Sequence, residues 1–240
     1  MAISAHRGGG ERYQLATWEA YRWAIALGTE YVEFDVRRLA DGTLVCYHDE
    51  KVHETGSTLR TLTYRQLCAE AAYQVPTVPE LMEELAGSAI AHVDLKETGY
   101  EAEVVKLATE LLGEDGFVAT SLEDESISRL TQTFPRVTAA LSLGRDRREI
   151  GSIAKLITTR LSELFPLRRL RACGARWVAV DKTLARAGVL RACARHDIKA
   201  MVWTVDDTDL IDRFLSDPRV HVLVTNRPEH AAVRRARLGR

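Results

Sequence analysis

The segment YVEFDV (31–36) alternates apolar and acidic side chains, with Val32, Phe34 and Val36 on one side and Glu33 and Asp35 on the other. Side chains of a β-strand alternate between two faces, so the two carboxylates share a face, with Cα atoms roughly 6.5 Å apart. On a buried face, two like charges this close are costly unless a cation or a proton offsets them. On a solvent-exposed face, the same pattern is an ordinary half-buried strand.

Other polar residues could join this acid pair, because they stand at or near the carboxyl ends of strand-like runs. They are His6, Arg7, His48, Asp49, His92, Asp94, Lys96, Ser121 and Trp203. Each is a weak signal alone, since a single histidine at a strand end is more often structural than catalytic. Lys96 could simply neutralise Asp94, with which it shares a strand face.

Taken together, these residue types indicate a particular chemistry. The acid pair and Asp94 offer only oxygen ligands, which favour a hard divalent cation, Ca²⁺ or Mg²⁺, over zinc. A cation beside the positive charges of Arg7 and Lys96 is a common way to hold a phosphoryl group. The imidazoles of His6 and His48 suit proton transfer to and from oxygen near neutral pH. The set therefore points to metal-assisted cleavage of a phosphate ester.

The elements that must position these residues alternate along the whole chain. Helix-like segments lie between the strand-like runs; one at 17–28 could be capped by Thr17 and ended by Gly28, and another covers 77–87. This alternation predicts βαβ units and a parallel sheet. Eight units in 240 residues favour an α/β fold, a single-domain (β/α)₈ TIM barrel over 1–240, with a doubly wound open sheet as the main alternative. The predicted strands are 2–6, 31–36, 90–95, 117–121, 137–143, 177–181, 198–205 and 220–225.

Two segments stand apart from the alternation. Asp41-Gly42 is a hairpin signal directly after the acidic strand, and it predicts a short extra strand over 43–48 that carries His48 toward the barrel mouth. The long basic stretch 145–176 has apolar residues at helical spacing, which favours a helix with a solvated Arg/Lys face over an anion-binding lid. Those apolar residues are Ile150, Ile153, Ile157, Leu161 and Leu164.

Composition excludes several classes of function. With 46% hydrophobic and 28% charged residues and a net charge of −1, the chain is typical of a soluble protein and gives no electrostatic case for binding nucleic acid. No apolar run approaches the roughly 20 residues of a transmembrane helix. The N-terminus lacks the pattern of a secretory leader, and the four scattered cysteines predict buried, reduced thiols, so we expect a cytoplasmic protein. The sequence does not predict an oligomeric state.

The motif AHRGGG…GTEYVEFDVRRLADGTLVCYHD strongly resembles the glycerophosphodiester phosphodiesterase family. The family's H-R-G opening, E-x-D strand, D-G turn and closing H-D are all present. Further stretches follow in the family's order and extend the resemblance over essentially the whole chain. They are LRTLTYRQL, VPTVPELMEEL, HVDLK, VATSLEDES, MVWTVDD and VLVTNRP.

The resemblance implies a barrel enzyme that hydrolyses glycerophosphodiesters, small-molecule substrates, to glycerol 3-phosphate and an alcohol. It implies that His6 and His48 form the acid–base pair and that Trp203 is an aromatic at the site wall. It further implies that Arg7 and Lys96 contact the phosphate. The metal ligands would be Glu33, Asp35 and, at the third position, Asp94.

The chain also departs from the family pattern. The usual P-E-N-T reads QLAT here and keeps only Thr17, and the third metal ligand is Asp94 instead of the longer Glu. Asp206 stands where W-T-V is usually followed by Asn, and Asn226 stands where T-D-x-P usually has Asp. Because the missing Glu-Asn pair would ordinarily line the site, the chemistry is better supported than the substrate.

Two rival functions follow from these departures. One is an enzyme of the lysophospholipase D or sphingomyelinase D type, which would release a cyclic phosphate and would need apolar surface for an acyl chain. The other is a barrel that has lost activity and only binds a phosphate ligand. A metal-dependent amidohydrolase is disfavoured, because His6-Arg7 replaces the paired H-x-H ligands of those barrels.

Overall fold

A computed structural model describes residues 1–145 and 153–239 of the chain. Eight parallel strands close into a barrel, in the order β1-β9-β8-β7-β6-β5-β4-β2, with β2 pairing back to β1. The predicted (β/α)₈ barrel is therefore confirmed, and the open sheet is excluded. The barrel strands are β1 (Ala2–Ala5), β2 (Tyr31–Arg38), β4 (Ile90–Leu95), β5 (Phe117–Ser121), β6 (Thr138–Leu143), β7 (Trp177–Asp181), β8 (Lys199–Trp203) and β9 (Val220–Thr225).

The observed strands follow the predicted ones closely, with differences at their ends. β2 continues to Arg38, because Arg37 and Arg38 pair with the extra strand. β8 ends at Trp203, two residues before the end of the predicted run, although the Val205 N–H still donates to the Val224 carbonyl at 3.0 Å.

The extra strand is β3 (Leu44–Cys46), which pairs antiparallel with β2 on the outside of the barrel. It is shorter than the predicted 43–48, so His48 lies in the loop beyond it. Asp41 stabilises the turn before it, because one carboxylate oxygen accepts the Thr43 N–H at 3.0 Å and the other accepts the Tyr64 N–H at 2.8 Å. The hairpin therefore forms as the Asp-Gly signal predicted.

Strand register places the acidic residues side by side. Glu33 is level with His92 across the β2–β4 pair, Asp35 is level with Asp94, and Asp94 is level with Thr120 of β5. The intervening residues of β2, including Phe34, are fully buried in the main hydrophobic cluster. The strand is therefore buried on both faces, and its carboxylates need compensation.

Helices fill the connections between the barrel strands. α1 begins after Thr17, whose hydroxyl accepts the Ala20 N–H, and ends at Gly28 in the left-handed conformation, as predicted. The helix predicted over 77–87 forms as α3. The helices are α1 (Trp18–Leu27), α2 (Tyr64–Ala71), α3 (Val78–Leu85), α4 (Glu101–Leu112), α5 (Asp124–Thr133), α6 (Ile153–Leu164), α7 (Leu167–Cys173), α8 (Lys182–Leu184), α9 (Leu190–Ala194), α10 (Thr208–Leu215) and α11 (Pro228–Arg237).

α6 differs from the helix predicted in the basic stretch. Ile150 lies outside the described residues, and Ile157 and Leu161 are 55% and 51% exposed. The predicted solvated face is present only in part, because Arg168 and Arg171 are exposed whereas Arg160 donates to Glu163 at 2.7 Å and to the Arg145 carbonyl at 2.8 Å. Glu163 is 1% exposed and accepts the backbone N–H groups of Gly144 and Arg145, both at 2.9 Å. Those backbone donors at the end of β6 need an acceptor, so α6 turns its polar face to the barrel.

α7 occupies the position of the helix that follows β6 in a (β/α)₈ barrel. Its Leu170 and Cys173 are buried, and Thr131 of α5 donates to the Cys173 carbonyl at 2.7 Å. α6 is consequently an additional helix at the carboxyl ends of the strands. In the described segments, every helix is too short or too polar to cross a lipid bilayer. All four cysteines are free thiols; three are buried, and Cys68 is only half-buried.

Candidate active site

Six of the residues that the sequence analysis singled out meet at the carboxyl ends of β1, β2 and β4. Asp35 is at the centre, since its carboxylate lies 2.8 Å from the Lys96 Nζ and 2.9 Å from the Arg7 Nε. Lys96 also lies 2.6 Å from Asp94. The His6 Nε2 lies 3.9 Å from a Glu33 oxygen. The predicted clustering of acidic, basic and imidazole groups is therefore present.

The backbone at the beginning of the site is bent sharply. Arg7 has a φ of 49°, in the left-handed region that non-glycine residues rarely adopt, and this directs its N–H to Glu33 at 2.8 Å. Gly8 follows with a φ of 81°, and a Cβ atom there would lie 2.6 Å from the backbone of Ala20. The glycine of the H-R-G motif is thus required by the close approach of α1.

Three carboxylates form a compact group that could hold a cation. Glu33, Asp35 and Asp94 each offer one oxygen, and these oxygens lie within 4.8 Å of one another. Glu33 and Asp35 are 3% and 2% exposed. Lys96 and Arg7 supply only two positive charges against three negative ones. An additional cation would therefore find an uncompensated charge here.

The pKa shifts follow this balance of charges. Burial and the charge of Asp35 raise the pKa of Glu33 well above its usual value. Burial also opposes ionisation of Asp35, but Lys96 and Arg7 outweigh it and lower the pKa of Asp35. Burial likewise disfavours charged Lys96, but Asp35 and Asp94 raise its pKa. Glu33 is consequently the carboxyl whose charge most needs a cation.

The donor set also fits a hard cation. Both oxygens of Asp35 are buried and receive no hydrogen bond from the described residues. The Lys96 and Arg7 nitrogens approach them at ion-pair distance without hydrogen-bond geometry, so the oxygens keep lone pairs for another partner. Three carboxylates without a thiol suit Ca²⁺ or Mg²⁺.

Asp94 is the most exposed of the three carboxylates and contacts both Lys96 and Thr120. One of its oxygens lies 2.6 Å from Lys96, and the other accepts a hydrogen bond from the Thr120 hydroxyl. Its side chain is 15% exposed, more than those of Glu33 and Asp35. The contacts therefore allow both interpretations of Asp94, as a metal ligand and as the counter-ion of Lys96.

We expect Asp94→Asn to weaken Ca²⁺ binding at least roughly tenfold, because it removes a charged oxygen ligand while keeping the shape of the side chain. Isothermal titration of the purified variants with Ca²⁺ measures this. Thr120→Ser keeps the hydroxyl beside Asp94 and is the matched control. Unchanged Ca²⁺ affinity in Asp94→Asn would show that Asp94 is only the counter-ion of Lys96.

Asp94→Glu tests how the shorter side chain reaches the cation. The variant should bind Ca²⁺ more tightly if a water completes the coordination of the present site. It should bind Ca²⁺ more weakly if the backbone has moved inward to suit the shorter side chain.

The two histidines are each anchored through Nδ1. The His6 Nδ1 lies 2.7 Å from the Asn226 Oδ1, and the His48 Nδ1 lies 2.7 Å from the Asp49 Oδ1. The His48 loop is further held by Arg37, which donates to the His48 carbonyl at 2.9 Å. Anchoring Nδ1 leaves Nε2 of each ring available for proton transfer.

The surroundings of both rings favour the neutral form of the imidazole. Burial, with a contribution from the charge of Arg7, lowers the pKa of His6 to about 4. Burial also lowers the pKa of His48, although the charge of Asp35 acts in the opposite direction. The Tyr47 N–H donates to the Asp35 carbonyl at 3.1 Å, which places the loop that carries His48 beside the strand that carries Asp35. Near neutral pH, each ring can accept a proton.

His92 and Ser121 have structural surroundings. His92 is buried level with Glu33, with Nδ1 3.2 Å from the Ser4 hydroxyl and Nε2 3.3 Å from the Thr120 hydroxyl, and burial lowers its pKa to about 4. Ser121 donates to the Leu95 carbonyl at 2.9 Å and accepts the Glu123 N–H at 3.2 Å, which orders the loop after β5.

Trp203 lies at the end of β8, level with Asp181 of β7. Its ring is so close to Gly144 that a Cβ atom there would lie 3.2 Å from the Trp203 Cζ2. The indole Nε1 is buried and has no hydrogen-bond partner among the described residues. Trp203 therefore offers an unused hydrogen-bond donor and an apolar ring. It takes no part in the ion pairs that join the six clustered residues to one another.

The replaced P-E-N-T segment is apolar at two positions. Leu15 lies beside Gly10, where a Cβ atom would be 3.3 Å from the Leu15 Cδ2. Ala16 has a φ of 62°, and its N–H donates to the Arg7 carbonyl at 2.9 Å. Asparagine tolerates this left-handed conformation better than alanine does, which accounts for Asn in the pattern at this position.

Sequence reasoning missed the contact between Asp206 and Asn226. It treated them as two separate departures, yet Asn226 donates to Asp206 from its backbone N–H at 2.8 Å and from its Nδ2 at 2.7 Å. Asp and Asn are exchanged between the two positions relative to the family pattern. That complementary exchange was the available signal that the two residues are neighbours.

Known proteins resemble the chain in sequence and in fold. The sequence profile of the Glycerophosphoryl diester phosphodiesterase family matches residues 6–230. A curated glycerophosphodiester phosphodiesterase of Bacillus altitudinis is 25% identical over 159 residues, a match that covers 58% of this chain and 65% of that protein. The match thus spans slightly less than two thirds of the relative's length.

Solved structures also share the fold, and the following two are examples. The glycerophosphodiester phosphodiesterase of Thermotoga maritima superimposes with a TM-score of 0.74 at 22% identity, covering 99% of this chain and 97% of its own. An Oleispira antarctica phosphodiesterase, solved in complex with the product sn-glycerol-3-phosphate, superimposes with a TM-score of 0.76 at 16% identity, covering 98% and 96%. At these identities the likeness shows a common barrel fold.

Proposed function

The chain belongs to the glycerophosphoryl diester phosphodiesterase family, and we propose that it is a divalent-cation-dependent hydrolase that converts glycerophosphodiesters to glycerol 3-phosphate and an alcohol. The observation that carries this proposal is the group of three carboxylate oxygens within 4.8 Å of one another, beside Lys96, Arg7 and His6. The proposal treats residues 1–240 as one catalytic domain that acts in the cytoplasm on a small-molecule substrate.

Glu33, Asp35 and Asp94 would hold the cation, Ca²⁺ or Mg²⁺. When bound, the cation supplies positive charge that offsets the charge of the phosphate. Arg7 and Lys96 already lie within 3 Å of Asp35 and share that task, with the planar guanidinium suited to two phosphate oxygens. These two side chains bind and orient the phosphodiester, and the Trp203 ring forms part of the wall around it.

His6 and His48 carry the proton transfers. One imidazole, in its neutral form, accepts a proton at Nε2 from the attacking hydroxyl, and the other, as an imidazolium protonated at both nitrogens, donates its Nε2 proton to the oxygen of the leaving alcohol. The attacking group is water or the neighbouring hydroxyl of the glycerol moiety, and the second choice gives a cyclic phosphate first. The fixed Nδ1 contacts of both rings, 2.7 Å each, support this use of Nε2.

The direct test is turnover of glycerophosphocholine in the presence of Ca²⁺ or Mg²⁺, followed by enzymatic detection of glycerol 3-phosphate and choline. A His6→Ala/His48→Ala double variant, prepared in parallel, controls for contaminating phosphodiesterases. Binding of the substrate without turnover would favour the inactive phosphate-binding barrel.

A second candidate function, on lysophospholipids, is favoured by the exposed surface of α6. Ile157, Leu161 and Phe165 follow one another at intervals of four residues and are 55%, 51% and 74% exposed. We call these three side chains the α6 stripe. Glu163 joins α6 to the carboxyl end of β6, so α6 lies at the same end of the barrel as the candidate site, with the stripe exposed to solvent. It offers apolar contact to a substrate presented in a micelle or bilayer.

If this second function applies, Ile157→Ser/Leu161→Ser/Phe165→Ser lowers kcat/KM on micellar lysophosphatidylcholine about tenfold and changes the rate on water-soluble glycerophosphocholine less than about twofold. A tenfold loss corresponds to ~1.4 kcal/mol, less than full burial of one large apolar side chain contributes. Val233→Ser, at an exposed valine of α11, is the matched control. An equal effect on both substrates, or no effect on either, would rule out a role of the stripe in substrate choice.

A further inference from the structure

Asn226 links the candidate catalytic residue His6 to a carboxylate outside the cation cluster. Its Oδ1 lies 2.7 Å from the His6 Nδ1, and its Nδ2 donates to an Asp206 oxygen at 2.7 Å. Its backbone N–H donates to the other Asp206 oxygen at 2.8 Å. His6 and Asn226 directly follow β1 and β9, and Asp206 lies three residues after the end of β8. They form a continuous chain of hydrogen bonds between neighbouring strand ends.

The hydrogen bonds among His6, Asn226 and Asp206 fix which atom donates in each bond. An ionised carboxylate only accepts hydrogen bonds, so the side-chain atom of Asn226 that faces Asp206 must be the NH₂ group. The amide oxygen then faces His6. Because an amide oxygen only accepts, the His6 Nδ1 must carry the proton, and its Nε2 keeps the lone pair.

Asp206 is itself held in place by its neighbours. The Thr225 hydroxyl donates to its Oδ1 at 3.1 Å, and Arg227 donates to its backbone carbonyl at 2.9 Å. The Asn226 carbonyl in turn accepts the Gly10 N–H at 2.7 Å, which ties the loop after His6 to the same place. The carboxylate is thus a fixed point against which the amide and the imidazole are oriented.

From this geometry we propose that Asp206 is a positioning residue that, through the side-chain amide of Asn226, sets the tautomer and orientation of the His6 imidazole. Asp206 contacts neither the cation cluster nor, by this proposal, the substrate. Its consequence for rate rests on the proposed function, whereas the assignment of the His6 tautomer does not.

The exchange of Asp and Asn between the two positions provides a matched set of variants. In Asp206→Asn an amide faces an amide, so the Asn226 side chain can turn over and present its NH₂ group to His6. In Asn226→Asp two carboxylates face each other. Asp206→Asn/Asn226→Asp again places one amide against one carboxylate and restores an acceptor toward the His6 Nδ1.

We expect each single substitution to lower kcat roughly tenfold or more with KM changed less than about twofold, because Arg7 and Lys96 still bind the phosphate. The double substitution should recover most of the loss, so that the two effects are strongly non-additive. Additive losses in the double variant, or a wild-type kcat in Asp206→Asn, would overturn the positioning role.

A spectroscopic test separates this inference from the proposed function. ¹⁵N NMR of the histidine side chains in the Ca²⁺-loaded wild-type protein near neutral pH, with His6 assigned from His6→Gln, should show His6 protonated at Nδ1. Asp206→Asn should convert this signal to a mixture of tautomers. A wild-type His6 protonated at Nε2 would overturn the inference without any variant having to fold. The predicted tautomer in a protein that turns over no phosphodiester would instead contradict only the proposed function.

Discussion

His6→Ala and His48→Ala are each expected to lower kcat on glycerophosphocholine by about 10²- to 10⁴-fold, the usual contribution of a general acid or base. Each ring is held by one hydrogen bond at Nδ1, from a different part of the chain, so neither substitution leaves the other ring unanchored. The measurement is steady-state kinetics at saturating cation, on a substrate whose alcohol is a poor leaving group.

Two controls make that result interpretable. His196→Ala removes an exposed histidine beyond the end of α9, away from the carboxyl ends of the strands, and should keep the wild-type rate. Thermal unfolding should show that both site variants remain folded, because His6 and His48 are only partly buried in side-chain terms, at 17% and 39% exposure. A variant with near wild-type kcat on the poor leaving group would remove that histidine from the proposed mechanism.

Removal of divalent cations is expected to have an effect of similar size. An excess of chelator should lower turnover by about 10³-fold, because the cation would contribute several kcal/mol of charge stabilisation. Added Ca²⁺ or Mg²⁺ should restore the rate, as an all-oxygen donor set implies. The structural reason is Glu33, because burial and the charge of Asp35 raise its pKa, and a bound cation would favour its charged form.

Glu33→Gln provides an independent check of the same point. It keeps the size of the side chain but removes the charge, so the variant should need a much higher cation concentration for half-maximal rate. Full turnover by the wild-type protein in excess chelator would contradict the cation dependence, and an unchanged cation requirement in Glu33→Gln would remove Glu33 from the ligand set.

Much of the fold could be predicted from the sequence because its signals are local. The period of two in YVEFDV placed Glu33 and Asp35 on one face, and Thr17 and Gly28 marked the ends of α1. The hairpin after β2 followed from Asp41-Gly42. In each case, a few adjacent residues determine the local backbone geometry, which no distant contact has to supply.

Contacts between distant segments could not be read in the same way. Asn226 and His6 are 220 residues apart, and only the closure of β9 onto β1 brings them together. Thr120 reaches Asp94 because β4 and β5 have a particular register, which alternation along one strand does not specify. The resemblance to a known family pointed to the positions of Asp206 and Asn226 but not to their mutual contact.

α6 shows a different limit. Helical spacing correctly predicted a helix, but periodicity alone does not say which side meets the protein. Glu163 turns inward to accept the backbone N–H groups of Gly144 and Arg145, and Ile157 and Leu161 are left exposed. The need to satisfy buried backbone donors decided the orientation here.

The most direct test of cation-dependent phosphodiester hydrolysis is a ³¹P NMR time course of glycerophosphocholine with the purified protein, first in excess chelator and then after addition of Ca²⁺ or Mg²⁺. We predict that the diester resonance persists in chelator and is replaced by that of glycerol 3-phosphate after the cation is added. A transient cyclic phosphate resonance would identify the neighbouring hydroxyl as the attacking group. A diester resonance that remains unchanged with either cation, or that disappears equally fast in chelator, would contradict the account.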